Sequence, residues 1–108
     1  NMANVHVQQG AYTKALQLLG QVLTMRRQAL PHGHPDIAAT LNNMAVVHRE
    51  QGAHAEALRL HEQALAMQRQ ALPDGHADIA ATLNNMGTVH GQQGAHAEAL
   101  RLFEQALN

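Results

Sequence analysis

Nine histidines in a chain of 108 residues are the first candidates for chemistry. His32 and His34 form an H-x-H pair, and His6, His48 and His90 recur at one fixed interval. Imidazoles in such numbers raise the question of a zinc or copper site. The interval argues against it. Residues one structural unit apart on packed helices lie roughly 8–10 Å from each other, too far to share a metal that needs bonds of about 2 Å. There is no cysteine to complete a ligand set, so no metal and no other cofactor is expected. The recurring histidines read as rings that fill packing positions.

Catalytic signatures are missing as well. The chain has no H-E-x-x-H, no phosphate-cradling glycine loop and no G-x-S-x-G, and it contains no serine. An enzyme is not expected. The side chains best suited to recognition are carboxamides, which both donate and accept hydrogen bonds. They occur in the pairs Asn42–Asn43 and Asn84–Asn85.

The elements that carry these residues follow from a repeat. "LNNMAVVHREQGAHAEALRLHEQAL" from Leu41 returns 42 residues later as "LNNMGTVHGQQGAHAEALRLFEQAL". Residues 33–66 and 75–108 agree at 27 of 34 positions, close enough to be copies of one unit. Repeats of this length are single supersecondary units that bury their apolar faces by stacking. The units divide as 1–32, 33–74 and 75–108, with the first lacking its opening turns. Both ends of the chain fall inside helical patterns, which is expected of a piece cut from a longer array.

Each unit holds two helical patterns. In the second unit the first spans about 35–51, with Ile37, Leu41, Met44, Ala45 and His48 at helical spacing. Pro35 suits its first turn, and Gly52 suits a left-handed stop. The other pattern spans about 54–72, with Ala57, Leu58, His61, Ala64, Leu65 and Leu72 as its stripe. The "QGA" at 9–11, 51–53 and 93–95 reads as a tight turn between paired helices. Ala45 and Ala57 stand where the pair should cross, and small side chains there allow close approach.

Composition agrees. The chain is 45% hydrophobic but only 2% aromatic, so its core must be built from Ala, Leu, Ile, Val and Met, which favours packed helices over strands. A net charge of −1 offers no basic patch for phosphates, which argues against nucleic acid. No apolar run has the length of a membrane span. With no cysteine and no signal-peptide pattern, an intracellular, cytoplasmic setting is expected.

The small residues at Ala45 and Ala57, the aliphatic Leu41, the rings at His48 and His61 and the alanine at Ala64 resemble a tetratricopeptide repeat. The 42-residue period, with "HPDIAATLNNMAVVHREQG" and "EALRLHEQAL", resembles the kinesin-light-chain type of that repeat. The resemblance implies an all-α, right-handed α-solenoid of about two and a half helix-turn-helix units. It implies that the first helix of each unit lines a concave groove, and that the protein is an adaptor for a peptide or helical segment. Where the family usually carries Tyr or Phe, this chain has His6, His48, His54, His61, His90 and His96. In the first unit Leu19 and Val22 replace the ring and the alanine.

Differences between units two and three on the first helix fall at Ala45/Gly87, Val46/Thr88, Arg49/Gly91 and Glu50/Gln92. The last three share one helical face, and the constant Asn42 and Asn84 lie a turn earlier. The exposed Glu56, Arg59 and Glu62 of the second helix recur unchanged as Glu98, Arg101 and Glu104, so drift alone does not account for the pattern. The expected ligand contacts are Asn4, Gln8, Asn42, Val46, Arg49, Glu50, Asn84, Thr88 and Gln92. Asn43 and Asn85 are expected to bridge successive units instead. The expected partner is a protein or peptide, with neither nucleic acid nor membrane involved. The alternative is a self-assembling spacer whose exposed ends stack end to end.

Overall fold

A computed structural model describes residues 2–107 of the chain, and the side chains of residues 9–107. It consists of five helices: α1 (Met2–Ala29), α2 (Pro35–Glu50), α3 (His54–Ala71), α4 (Ala77–Gln92) and α5 (His96–Leu107). No strand occurs among the described residues. Each helix packs on its neighbours in sequence, and α2 also meets α4. The molecule measures 45 × 39 × 18 Å, and its least dimension is close to two helix diameters of about 10 Å. It is a two-layer slab in which α2 and α4, the first helices of the second and third units, meet in one layer.

Local chemistry sets the hairpin ends. Pro35 opens α2, and His34 caps it by accepting the Asp36 N–H at Nδ1 (3.0 Å). His76 does the same for Asp78 at the start of α4 (3.0 Å). The α2–α3 turn closes with two reversed bonds, Ala53 N–H to His48 O (2.8 Å) and Gly52 N–H to Arg49 O (2.9 Å). This is the Schellman arrangement. It requires a left-handed residue, and Gly52 supplies φ +83°. Gly94 repeats the geometry between α4 and α5.

The first QGA does not turn. Residues 9–11 continue α1 as helix, so the first unit contributes one long helix where two were expected. In the second unit Ile37, Ala38 and Leu41, on the helix ahead of the turn, are packed in the core, all 3% exposed or less.

Ala45, Ala57 and Ala64 are fully buried where α2 crosses α3. The core continues through Ile37, Ala38, Leu41 and Leu60 to Val89 of the next unit. A second cluster of Ile79, Leu83, Met86 and Leu102 joins α4 to α5, with Leu58, Leu65 and Leu72 of α3 packed against it. Leu58 borders both clusters and so ties the units together. Met86 is core, whereas Met25 is exposed on α1.

One difference between the copies is a matched pair. His61 of unit two corresponds to Phe103, and Ala45 to Gly87. A methyl built on Gly87 would stand 2.7 Å from the Phe103 ring. The larger ring is thus accommodated by removal of a side chain opposite it. Gly87→Ala should therefore cost about 1–3 kcal/mol. Adding Phe103→His, which restores the unit-two pair, should recover most of that loss. Urea unfolding of both variants tests this, and equal stability of Gly87→Ala and the wild type would refute the pairing.

Candidate functional site

The open face of the first-helix layer is defined by what the core leaves out. On α2, Ala39, Asn43 and Glu50 are exposed and Val46 half-buried. On α4 the corresponding residues are Ala81, Asn85, Thr88 and Gln92, of which Asn85 and Thr88 are half-buried. They recur at i, i+4, i+7 and i+11, a single helical stripe. At the seam between the two helices a cleft of about 240 Å³ is lined by Ala39, Asn42, Asn43, Gln68, Asp78, Ala81 and Asn85.

The bridge between units expected of Asn43 is made by Asn42. Asn42 bridges the units: its Nδ2 donates to Thr82 Oγ1 (2.8 Å), and its Oδ1 is 2.7 Å from His61 Nδ1. Both ends of its carboxamide are therefore engaged by the protein itself, which takes Asn42 out of the set of free amides. Asn43 is the exposed one and borders the cleft. One residue is about 100° of helix rotation, enough to turn a side chain from the seam to the open face. Asn84 is exposed. Its counterpart of His61 is Phe103, which has no N–H to give.

Of the remaining expected contacts, Val46, Glu50, Thr88 and Gln92 lie on the open stripe, and Arg49 is half-buried beside it. The side chains of Asn4 and Gln8 lie outside the described residues. Asn43 and Asn85 border the cleft.

The seam is held by a polar chain that sequence reasoning missed. Thr82 is fully buried, and its hydroxyl donates to Gln68 Oε1 (2.6 Å) while accepting from Asn42. One unit earlier Thr40 occupies the same position, 1% exposed, and Arg26 stands where Gln68 does. Arg26 Nη1 donates to Thr40 Oγ1 and to the Asp36 backbone oxygen, each at 2.8 Å. The available signal was a threonine repeated in an otherwise apolar stripe. A buried hydroxyl needs a partner, and Arg26 and Gln68 were the side chains long enough to reach it.

The tetratricopeptide-repeat family profile matches residues 1–70 and 68–108. The chain belongs to this family. Among solved structures, a candidate kinesin light chain of Podosopora anserina with nearly identical TPR-like repeats superimposes at a TM-score of 0.78. It is 28% identical, and the match covers 97% of this chain and 50% of that one. A glutamine-to-methionine variant of the same protein matches equally. The chain thus spans about half the length of these relatives. No curated protein matches the sequence.

Tetratricopeptide repeats generally mediate protein–protein interactions, and the family and its kinesin-light-chain-like members are typically non-enzymatic scaffolds. No helix among the described residues is long and apolar enough to cross a membrane. No group of three or more His, Asp or Glu among them is placed to hold a metal ion.

Within this repeat the histidines divide into distinct structural tasks. His34 and His76 cap helices. His61 is fully buried. Because Asn42 presents its oxygen, His61 must carry its proton on Nδ1, and Nε2 is left buried without a partner. Desolvation foremost, with the positive charge of Arg49 adding to it, pulls the His61 pKa from 6.5 down to about 4. On the second-helix surface, Arg59 pairs with Glu56 (2.6 Å) and Arg101 with Glu98, all well solvated and contributing little to stability.

The depressed His61 pKa has a defined consequence for stability. The unfolded imidazole takes up a proton near pH 6.5, the folded one only near 4. The contribution is complete above pH 6.5 and is lost as pH falls towards 4, by about 3 kcal/mol at roughly 1.4 kcal/mol per pKa unit. Urea unfolding between pH 7.5 and 4 should record this drop. Ala45→Gly with His61→Phe, which transplants the unit-three pair, should shrink it; an unchanged slope would exclude His61 as the cause.

Proposed function

We infer that this chain is a protein-interaction module that takes an extended or helical partner segment along the open face of α2 and α4. The observation that carries this reading is the contrast between two kinds of polar side chain in one seam. Asn42, Thr82 and Gln68 bond one another across it. Asn43 and Asn85 border the same cleft and make no hydrogen bond among the described residues. Free carboxamides suit the alternating N–H and C=O groups of a peptide backbone. Val46, Glu50, Thr88 and Gln92 surround them with side chains that differ between units and would select sequence. Arg49, beside the stripe, would act at its edge.

The test is a random heptapeptide library displayed on phage and selected on the protein. Val46→Trp with Thr88→Trp fills the stripe without touching the cleft. Selected peptides should lose about tenfold or more in affinity for this variant while its helicity and melting temperature stay unchanged. Undiminished binding would defeat the reading.

End-to-end stacking is a second reading, favoured by the last helix. Leu100 and Leu107 of α5 are 61% and 87% exposed. Their counterparts Leu58 and Leu65 on α3 pack against the cluster built on α4. The face of α5 is thus the surface that on α3 receives a following helix. Sedimentation equilibrium across a hundredfold concentration range should reveal dimers or longer species if copies stack; a strict monomer would eliminate it.

A further inference from the structure

We propose that the cleft between α2 and α4 receives an arginine side chain of the partner segment, held by Asp78 and the carboxamides of Asn43 and Asn85. This deepens the groove reading and rests on it.

At each seam a buried threonine of the following helix is met by a side chain of the preceding unit, and that side chain differs between the two seams. At the α1–α2 seam it is Arg26. Its guanidinium reaches the threonine hydroxyl and the aspartate backbone oxygen of the next helix, both at 2.8 Å. At the α3–α4 seam it is Gln68, which is shorter and neutral. Gln68 satisfies Thr82 through its Oε1 (2.6 Å) but brings no cation to the first turn of α4. The cleft lies at this second seam, with Gln68 in its lining.

Gln68 also indicates what the cleft is suited to bind. Its side chain is almost completely buried, at 3% exposure. Its amide nitrogen makes no hydrogen bond among the described residues and, unlike His61 Nε2, is not sealed from solvent, so an acceptor in the cleft that Gln68 lines can reach it. A peptide carbonyl lying over the seam would satisfy it. Asp78 supplies the charge. Its carboxylate side chain is 60% exposed and lies 4.0 Å from His76 Nδ1, whose lone pair is taken by the Asp78 N–H. Among the described residues no Lys or Arg side chain pairs with this carboxylate. A volume of about 240 Å³ admits one long side chain, and a guanidinium presents the donors that a carboxylate and two amide oxygens accept.

The heptapeptides selected on the wild-type protein provide the test. Those whose binding is lost with Val46→Trp/Thr88→Trp should share an arginine at one position. For a synthetic peptide of that set, Asp78→Asn should weaken binding about tenfold, and Asp78→Glu should retain it. Gln68→Arg gives the cleft an internal guanidinium, as Arg26 does one unit earlier. It should abolish binding of the arginine peptide and leave the melting temperature equal or higher. Groove-dependent peptides without a basic residue, or peptides that bind Asp78→Asn and Gln68→Arg as tightly as the wild type, would overturn the cleft assignment and leave the groove standing. Peptides indifferent to Val46→Trp/Thr88→Trp would overturn both.

Discussion

Where α2 crosses α3, small side chains line the contact. Ala45, Ala57 and Ala64 have no exposed surface, and the two backbones meet as closely as helices can. Other features of the unit depend on that contact. It brings α2 and α3 together so that Gly52 can close the turn between them, and it leaves the outer flank of the pair as a flat wall against which the next unit stacks. A core with almost no aromatic rings gains its packing density from such approach, since dispersion between many small groups replaces the bulk of a few large ones.

The copies show how little slack the crossing has. His61 fits with Ala45 opposite it, and Phe103 fits only because Gly87 has no Cβ. The exchange conserves volume but not chemistry. In unit two the ring donates a hydrogen bond to Asn42 and belongs to the polar chain that ties α2, α3 and α4. In unit three the ring is purely apolar and Asn84 remains exposed. A difference that looks like surface drift in the sequence is thus partly a repacking of the hairpin interior. Only Val46/Thr88 and Glu50/Gln92 differ on the open face proper.

The threonine seam joins each unit to the one before it. Thr40 and Thr82 are buried hydroxyls that must be partnered, and the partner comes from the preceding unit, Arg26 in one case and Gln68 in the other. The same side chains that join units also set the floor of the surface above them.

Much of this architecture was written locally. The helix limits, the Pro35 start, the Gly52 and Gly94 turns and the alanine crossing follow from period, capping chemistry and side-chain size, all of which act within a few residues. Three matters were settled only by the tertiary structure. The first QGA continues α1 as helix, although the same three residues turn the chain in the two later units. Asn42 faces the seam and Asn43 the open side because the angle at which units stack, which no single helix encodes, decides the destination of each side chain. His61 is held in its neutral form because the packed helices take its ring out of water. Spacing in the sequence determined which residues share a helical face; only the packed helices decided which face meets protein and which meets solvent, because burial is a property of neighbours far away in the chain.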